Sequence, residues 1–139
     1  MPDDPHEATI LVVEDNPDNL FIVLEILRAK LRVRYSAGAA TGQQLFALLE
    51  TLPEQPVDMI LLALQLPHED GYIVLKRIRT LARLAATQVV AMTANVMVDD
   101  VERARAAGFD GFLGKPIDLR RFPLQICRIL RGEAVWEPR

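Results

Sequence analysis

The chain has 139 residues, enough for one domain with a real core, and its 50% hydrophobic and 25% charged content excludes a disordered chain. A net charge of -3 and 16 Lys and Arg residues that never form a run argue against nucleic-acid binding. The N-terminal MPDDPHEAT lacks a basic region followed by an apolar stretch, and no apolar run approaches the ~18 residues of a membrane span, so the chain reads as neither secreted nor membrane-spanning.

Short aliphatic runs alternate with longer segments of helical periodicity, the pattern of a parallel sheet with crossover helices. After an N-terminal extension over residues 1–8, the first strand is read at Thr9 to Val13. Asn16 offers a cap and Pro17 suits the first helical position, with Leu20, Val23, Leu24 and Leu27 as the buried stripe of the first helix. The second strand is placed at Leu31 to Tyr35, where Arg32 and Arg34 alternate with Val33 and Tyr35 and so predict a sheet edge. A second helix is expected over Thr41 to Thr51, followed by an apolar strand at Met59 to Leu62.

Asp70 before Gly71 starts the third helix, with Val74, Leu75, Ile78 and Leu81 inward. The fourth strand is Gln88 to Met92, and a helix with a thin apolar face runs from about Val96 to Ala107, where Gly108 stops it. The fifth strand is Gly111 to Leu113. The last helix runs from Asp118 to about Leu130, with Leu119, Phe122, Ile126 and Ile129 inward. Within it Cys127, the single cysteine, reads as a buried, reduced thiol of a cytoplasmic protein. The folded domain is thus 9–131, and residues 132–139, Trp136 included, form a tail without a usable pattern.

In open α/β sheets, ligands bind beyond the carboxyl ends of the strands. The residues there are Glu14 and Asp15 after the first strand, Ala63 after the third, Thr93 after the fourth and Lys115 with Pro116 after the fifth. Each alone is weak: an acid pair can be a solvated turn, and a lone Thr or Lys a strand end or surface residue. In one register they could hold a divalent metal and a phosphoryl group, since hard carboxylate oxygens suit Mg²⁺ while a hydroxyl and an ammonium neutralise phosphoryl oxygens. His6 and His68 have no convergent carboxylates and are assigned no role.

The stretches ILVVEDN, MILLALQLPHEDGYIVLKRIR, VVAMTANVM and RARAAGFDGFLGKPID, in this order and over nearly the whole chain, resemble the receiver domain of two-component response regulators. The resemblance implies a flavodoxin-like, doubly wound α/β fold of five parallel strands in the order 2-1-3-4-5 with five helices. It implies a phosphorelay signal-transduction module that is not itself an enzyme and works with a histidine kinase or a downstream signalling protein. In such a site Glu14 and Asp15, with a backbone carbonyl near Gln65, would bind Mg²⁺, and Thr93 and Lys115 would stabilise the phosphoryl group. Phe112 would move with Thr93 as a switch, and the Lys115-Pro116 peptide would be cis. The fourth helix, fifth strand and fifth helix, with Val98, Val101, Arg105 and Phe112, would form the partner or homodimer face.

The departure is at the centre of that site. The family pattern would read LLDLQLP where this chain reads LLALQLP, so the phosphoryl-accepting aspartate position holds Ala63, which has no nucleophile. Asp58 cannot replace it, because five residues along a strand at ~3.3 Å each put it roughly 16 Å away. Two origins fit, an engineered Asp to Ala exchange and a natural pseudo-receiver; the intact Glu14, Asp15, Thr93 and Lys115 favour the first or a recent loss. The rival is a flavodoxin-like cofactor- or nucleotide-binding enzyme, which needs a glycine- or hydroxyl-rich phosphate loop after the first strand. VVEDNPDN contains no Gly, Ser or Thr.

Overall fold

A computed structural model of the chain describes residues 4–52, 56–94 and 98–138. Its frame is a parallel sheet whose strands, among the described residues, are β1 Thr9–Val13, β2 Tyr35–Ala39, β3 Met59–Ala63, β4 Gln88–Thr93, β5 Gly111–Gly114 and β6 Val135–Glu137. Their order across the sheet is β2-β1-β3-β4-β5-β6. The connecting helices are α1 Pro17–Glu25, α2 Gly42–Thr51, α3 Gly71–Arg79, α4 Val98–Ala107 and α5 Arg121–Leu130.

Successive strand residues face opposite sides, and helices cover both. Leu11 and Val13 of β1, Ile60 and Leu62 of β3, and Val89 and Ala91 of β4 share one core with Leu45 and Leu49 of α2, Val74, Leu75 and Ile78 of α3, and Ala104 of α4. Their alternating neighbours Ile10, Val12, Met59, Leu61, Val90 and Met92 share the other with Val23 of α1 and Phe122, Ile126 and Ile129 of α5. Each fully buried Leu, Ile or Val stabilises the fold by ~1.5–3 kcal/mol relative to leaving it exposed. The helix starts obey local chemistry. Asn16 Oδ1 accepts from Asn19 N at 3.0 Å, Thr41 Oγ1 from Gln44 N at 3.1 Å and Asp70 Oδ1 from Tyr72 N at 2.8 Å. Gly108, with φ 106, follows α4.

Several boundaries differ from the sequence reading. The second strand is not Leu31 to Tyr35, because α1 continues as a wider π turn over Ile26–Lys30 in which Leu31 N donates to Ile26 O at 3.0 Å. Burying Ile26, Leu27 and Leu31 in one core outweighs the strand-like Arg alternation. Arg32, at φ 51, then turns the chain, and β2 forms from YSAGA at the sheet edge. Leu81 is 38% and Leu119 55% exposed rather than inward, since each lies outside its helix, past the end of α3 and before the start of α5. Cys127 is half-buried, not buried. The proposed start of the fourth helix at Val96 lies outside the described residues.

The largest correction is the tail. Instead of five strands and a patternless end, the sheet gains a sixth strand, with Gly111 paired to Val135, Phe112 to Trp136 and Leu113 to Glu137. The folded unit therefore runs past residue 131 to Pro138. Three residues are too few for strand periodicity to register, so only the available edge of β5 identifies them.

Candidate functional site

The carboxyl ends of β1, β3, β4 and β5 converge because the strands pair in parallel register. Val13 is opposite Leu62, Ala63 opposite Met92 and Thr93 opposite Gly114, which sets Glu14, Ala63, Thr93 and Lys115 side by side at one end of the sheet. Backbone bonds hold the ends there: Glu14 N donates to Ala39 O at 2.9 Å, Leu64 N to Met92 O at 3.0 Å and Lys115 N to Thr93 O at 2.8 Å. The Lys115-Pro116 peptide is cis.

Ala63 is fully buried, and its methyl offers no polar atom. Glu14 is only 1% exposed, and its carboxylate forms an ion pair with the Lys115 ammonium. Glu14 Oε2 also accepts from Asn16 N at 3.3 Å. Lys115 pairs with Glu14 rather than with its neighbour Asp15, because a buried carboxylate gains more from a counter-ion than exposed Asp15 does. Thr93 is buried at 3% exposure, and Phe112 is fully buried in the core beneath α4.

The other nearby carboxylates are held elsewhere. Asp58 Oδ2 accepts from Thr9 N at 2.8 Å, at the amino end of the sheet. Asp70 caps α3. Glu69 reaches across to accept from Gly42 N at the start of α2, a tie that sequence reading missed because its partner lies 27 residues away. The loop after β3 is pressed tightly onto α3: a Cβ on Gly71 would stand 2.7 Å from Ala63 O, and Gly71 N donates to Leu64 O at 2.9 Å. Exposed Gln65 lies in a two-residue antiparallel ladder, Gln65–Leu66 with Glu69–Asp70.

Beside Thr93 opens a cleft of about 320 Å³ whose wall includes Leu64, Glu69, Tyr72 and Arg103. The Arg103 guanidinium lies 4.2 Å from the centre of the Tyr72 ring. Burial pushes the Tyr72 phenol above its ordinary value, opposed by the Arg103 charge. Of the expected partner face, Val101 is half-buried and Arg105 is exposed, its guanidinium stacked 4.7 Å over the Trp136 ring. The side chain of Val98 lies outside the described residues. No helix among the described residues is long and apolar enough to cross a membrane.

A family model described as the response regulator receiver domain matches residues 10–126. The chain belongs to the receiver family. The polar-differentiation response regulator DivK of Brucella ovis is 30% identical over 130 residues, which cover 91% of this receiver and 98% of DivK. The signal transduction histidine-protein kinase BarA of Escherichia coli is 30% identical over 127 residues, and there the receiver spans only 13% of the kinase's length. Among solved structures, the receiver domain of a sensor histidine kinase from Pseudomonas aeruginosa superposes with a TM-score of 0.73 at 30% identity, covering 91% of this chain and 99% of that one; it carries a magnesium ion coordinated in its active site cleft. The chemotaxis response regulator CheY4 of Vibrio cholerae matches with a TM-score of 0.76 at 20% identity over 89% of this chain and 98% of its own, a likeness of fold.

Proposed function

We propose that this receiver domain acts in two-component signalling through protein contacts without accepting a phosphoryl group. The observation that carries the reading is the buried methyl of Ala63 at the end of β3, where the family's acceptor aspartate is expected, beside Glu14, Thr93 and Lys115. Acyl-phosphate formation needs a carboxylate oxygen to attack phosphorus, and Ala63 has none. Glu14 is engaged with Lys115, while Asp58, Glu69 and Asp70 are tied to backbone amides away from that point. On this reading the domain is a binding module rather than an enzyme, and its partners are a histidine kinase or a downstream signalling protein.

Magnesium suits this donor set poorly. Glu14 is already matched by Lys115, leaving exposed Asp15 and a backbone carbonyl near Gln65, and no group of three metal-ligating side chains occurs among the described residues. Mg²⁺ gives up its water reluctantly, so a site short of one carboxylate is weak. The chain should be incubated with acetyl phosphate and Mg²⁺ and its intact mass measured. No phosphate adduct is expected; an adduct that survives neutral pH and falls to hydroxylamine, as an acyl phosphate does, would overturn the proposal.

A further inference from the structure

We propose that Val135–Glu137 is a self-docked strap that keeps the β5 edge from pairing with a second copy of this chain. Without β6, β5 would be the last strand of the sheet, and Gly111–Gly114 would present a row of unpaired N–H and C=O groups, a template for strand addition. Two identical edges of this kind can join about a twofold axis into one continuous sheet. β6 takes those bonds itself. The edge it leaves is blunt: the strand is three residues long, ends in charged Glu137 and is followed by Pro138, which has no N–H to offer.

The chain is shaped to receive the strap. β5 begins and ends in glycine, and at both positions a Cβ would meet the strap's own backbone, 3.1 Å from Val135 O at Gly111 and 1.7 Å from Pro138 O at Gly114. Each strap residue is anchored separately. Val135 is fully buried in the core shared with α5, and the Trp136 ring lies under Arg105 of α4. Glu137 Oε1 accepts from Gln125 Nε2 at 2.9 Å and pairs with Arg121 at 3.4 Å, while Oε2 accepts from Arg128 at 2.8 Å, all from α5. The strap thus spans both helices that flank β5, and it occupies the edge that the sequence reading assigned to partners.

Trp136 is the single tryptophan, so its emission reports on the strap alone. The experiment compares the full chain with Gly114→Val, whose side chain would collide with Pro138, and with Glu137→Lys, which reverses the α5 contacts at a partly exposed position. Acrylamide quenching of Trp136 and solution mass by light scattering are followed over a concentration series. The original chain is expected to be monomeric with a protected Trp136. In both variants quenching should rise severalfold and the mass should climb toward that of a dimer. Should Gly114→Val lose its circular dichroism, Glu137→Lys decides. The proposal is overturned if released variants stay monomeric, if neither variant exposes Trp136, or if the original chain dimerises with Trp136 still protected.

Discussion

Replacing Ala63 by Asp inserts a carboxylate at a fully buried position one strand away from Glu14, which is itself 1% exposed. Neighbouring strands lie about 4.8 Å apart, so the two charges would stand roughly 5 Å from each other. At an effective dielectric near 20 their repulsion is ~3 kcal/mol. Lys115 offers one positive charge, and Glu14 already holds it. Repulsion and burial raise the folded-state pKa of the introduced carboxyl above its unfolded value. The penalty is therefore absent below the unfolded pKa of about 4 and grows as pH rises through it. At neutral pH in chelator, Ala63→Asp should melt on the order of 10 °C below the original chain, and the gap should close near pH 3. Mg²⁺ should bind the folded variant preferentially and recover about 2.7 kcal/mol at a hundred times its dissociation constant, while the original chain gains little. Phosphorylation by acetyl phosphate should return with the nucleophile. Melts of both proteins at two pH values, with and without Mg²⁺, are the assay. Equal stability in chelator at neutral pH, or an equal gain from Mg²⁺ in both, would refute the electrostatic argument.

Lys115→Met leaves the Glu14 carboxylate buried and unpaired and should lower unfolding free energy by roughly 3 kcal/mol, whereas Glu14→Gln with Lys115→Met should lose much less; urea titrations of the single and double variants give the coupling directly. Hydrogen bonding from Gln125, then pairing with Arg128, holds the Glu137 carboxyl below its usual range. A depressed acid adds stability that is present above its unfolded pKa and lost as pH falls through the folded one, so Trp136 should become quenchable on acidification while far-ultraviolet circular dichroism is retained. Arg105 and Arg121 also face the strap, Glu133 competes with Glu137 for Arg128, and Glu137→Gln should remove most of the transition. Asn16→Ala removes the bond to Asn19 N and should cost about 1 kcal/mol in a chemical denaturation curve.

The alternation of aliphatic runs and amphipathic helices determined the α/β class, and four of the five expected strands lie where their apolar runs do, because strands covered on both faces must be apolar throughout. The helix caps at Asn16 and Asp70 were legible because capping is local chemistry, whereas Thr41, read as the first helical residue, proved to be the cap of α2. The residue types at the strand ends were legible too, Ala63 among them. Tertiary structure decided what depends on distant partners. Whether Leu31 to Tyr35 became strand or helix end rested on how deeply Ile26, Leu27 and Leu31 could be buried. Which acid Lys115 chose rested on the burial of Glu14, a property of the assembled sheet end. The sixth strand depended on an edge that exists only once β5 is in place, on two glycines that let backbone approach it, and on Arg105, Arg121 and Arg128 brought alongside by α4 and α5. Three residues carry no periodicity of their own, so their conformation was set by the surface they met.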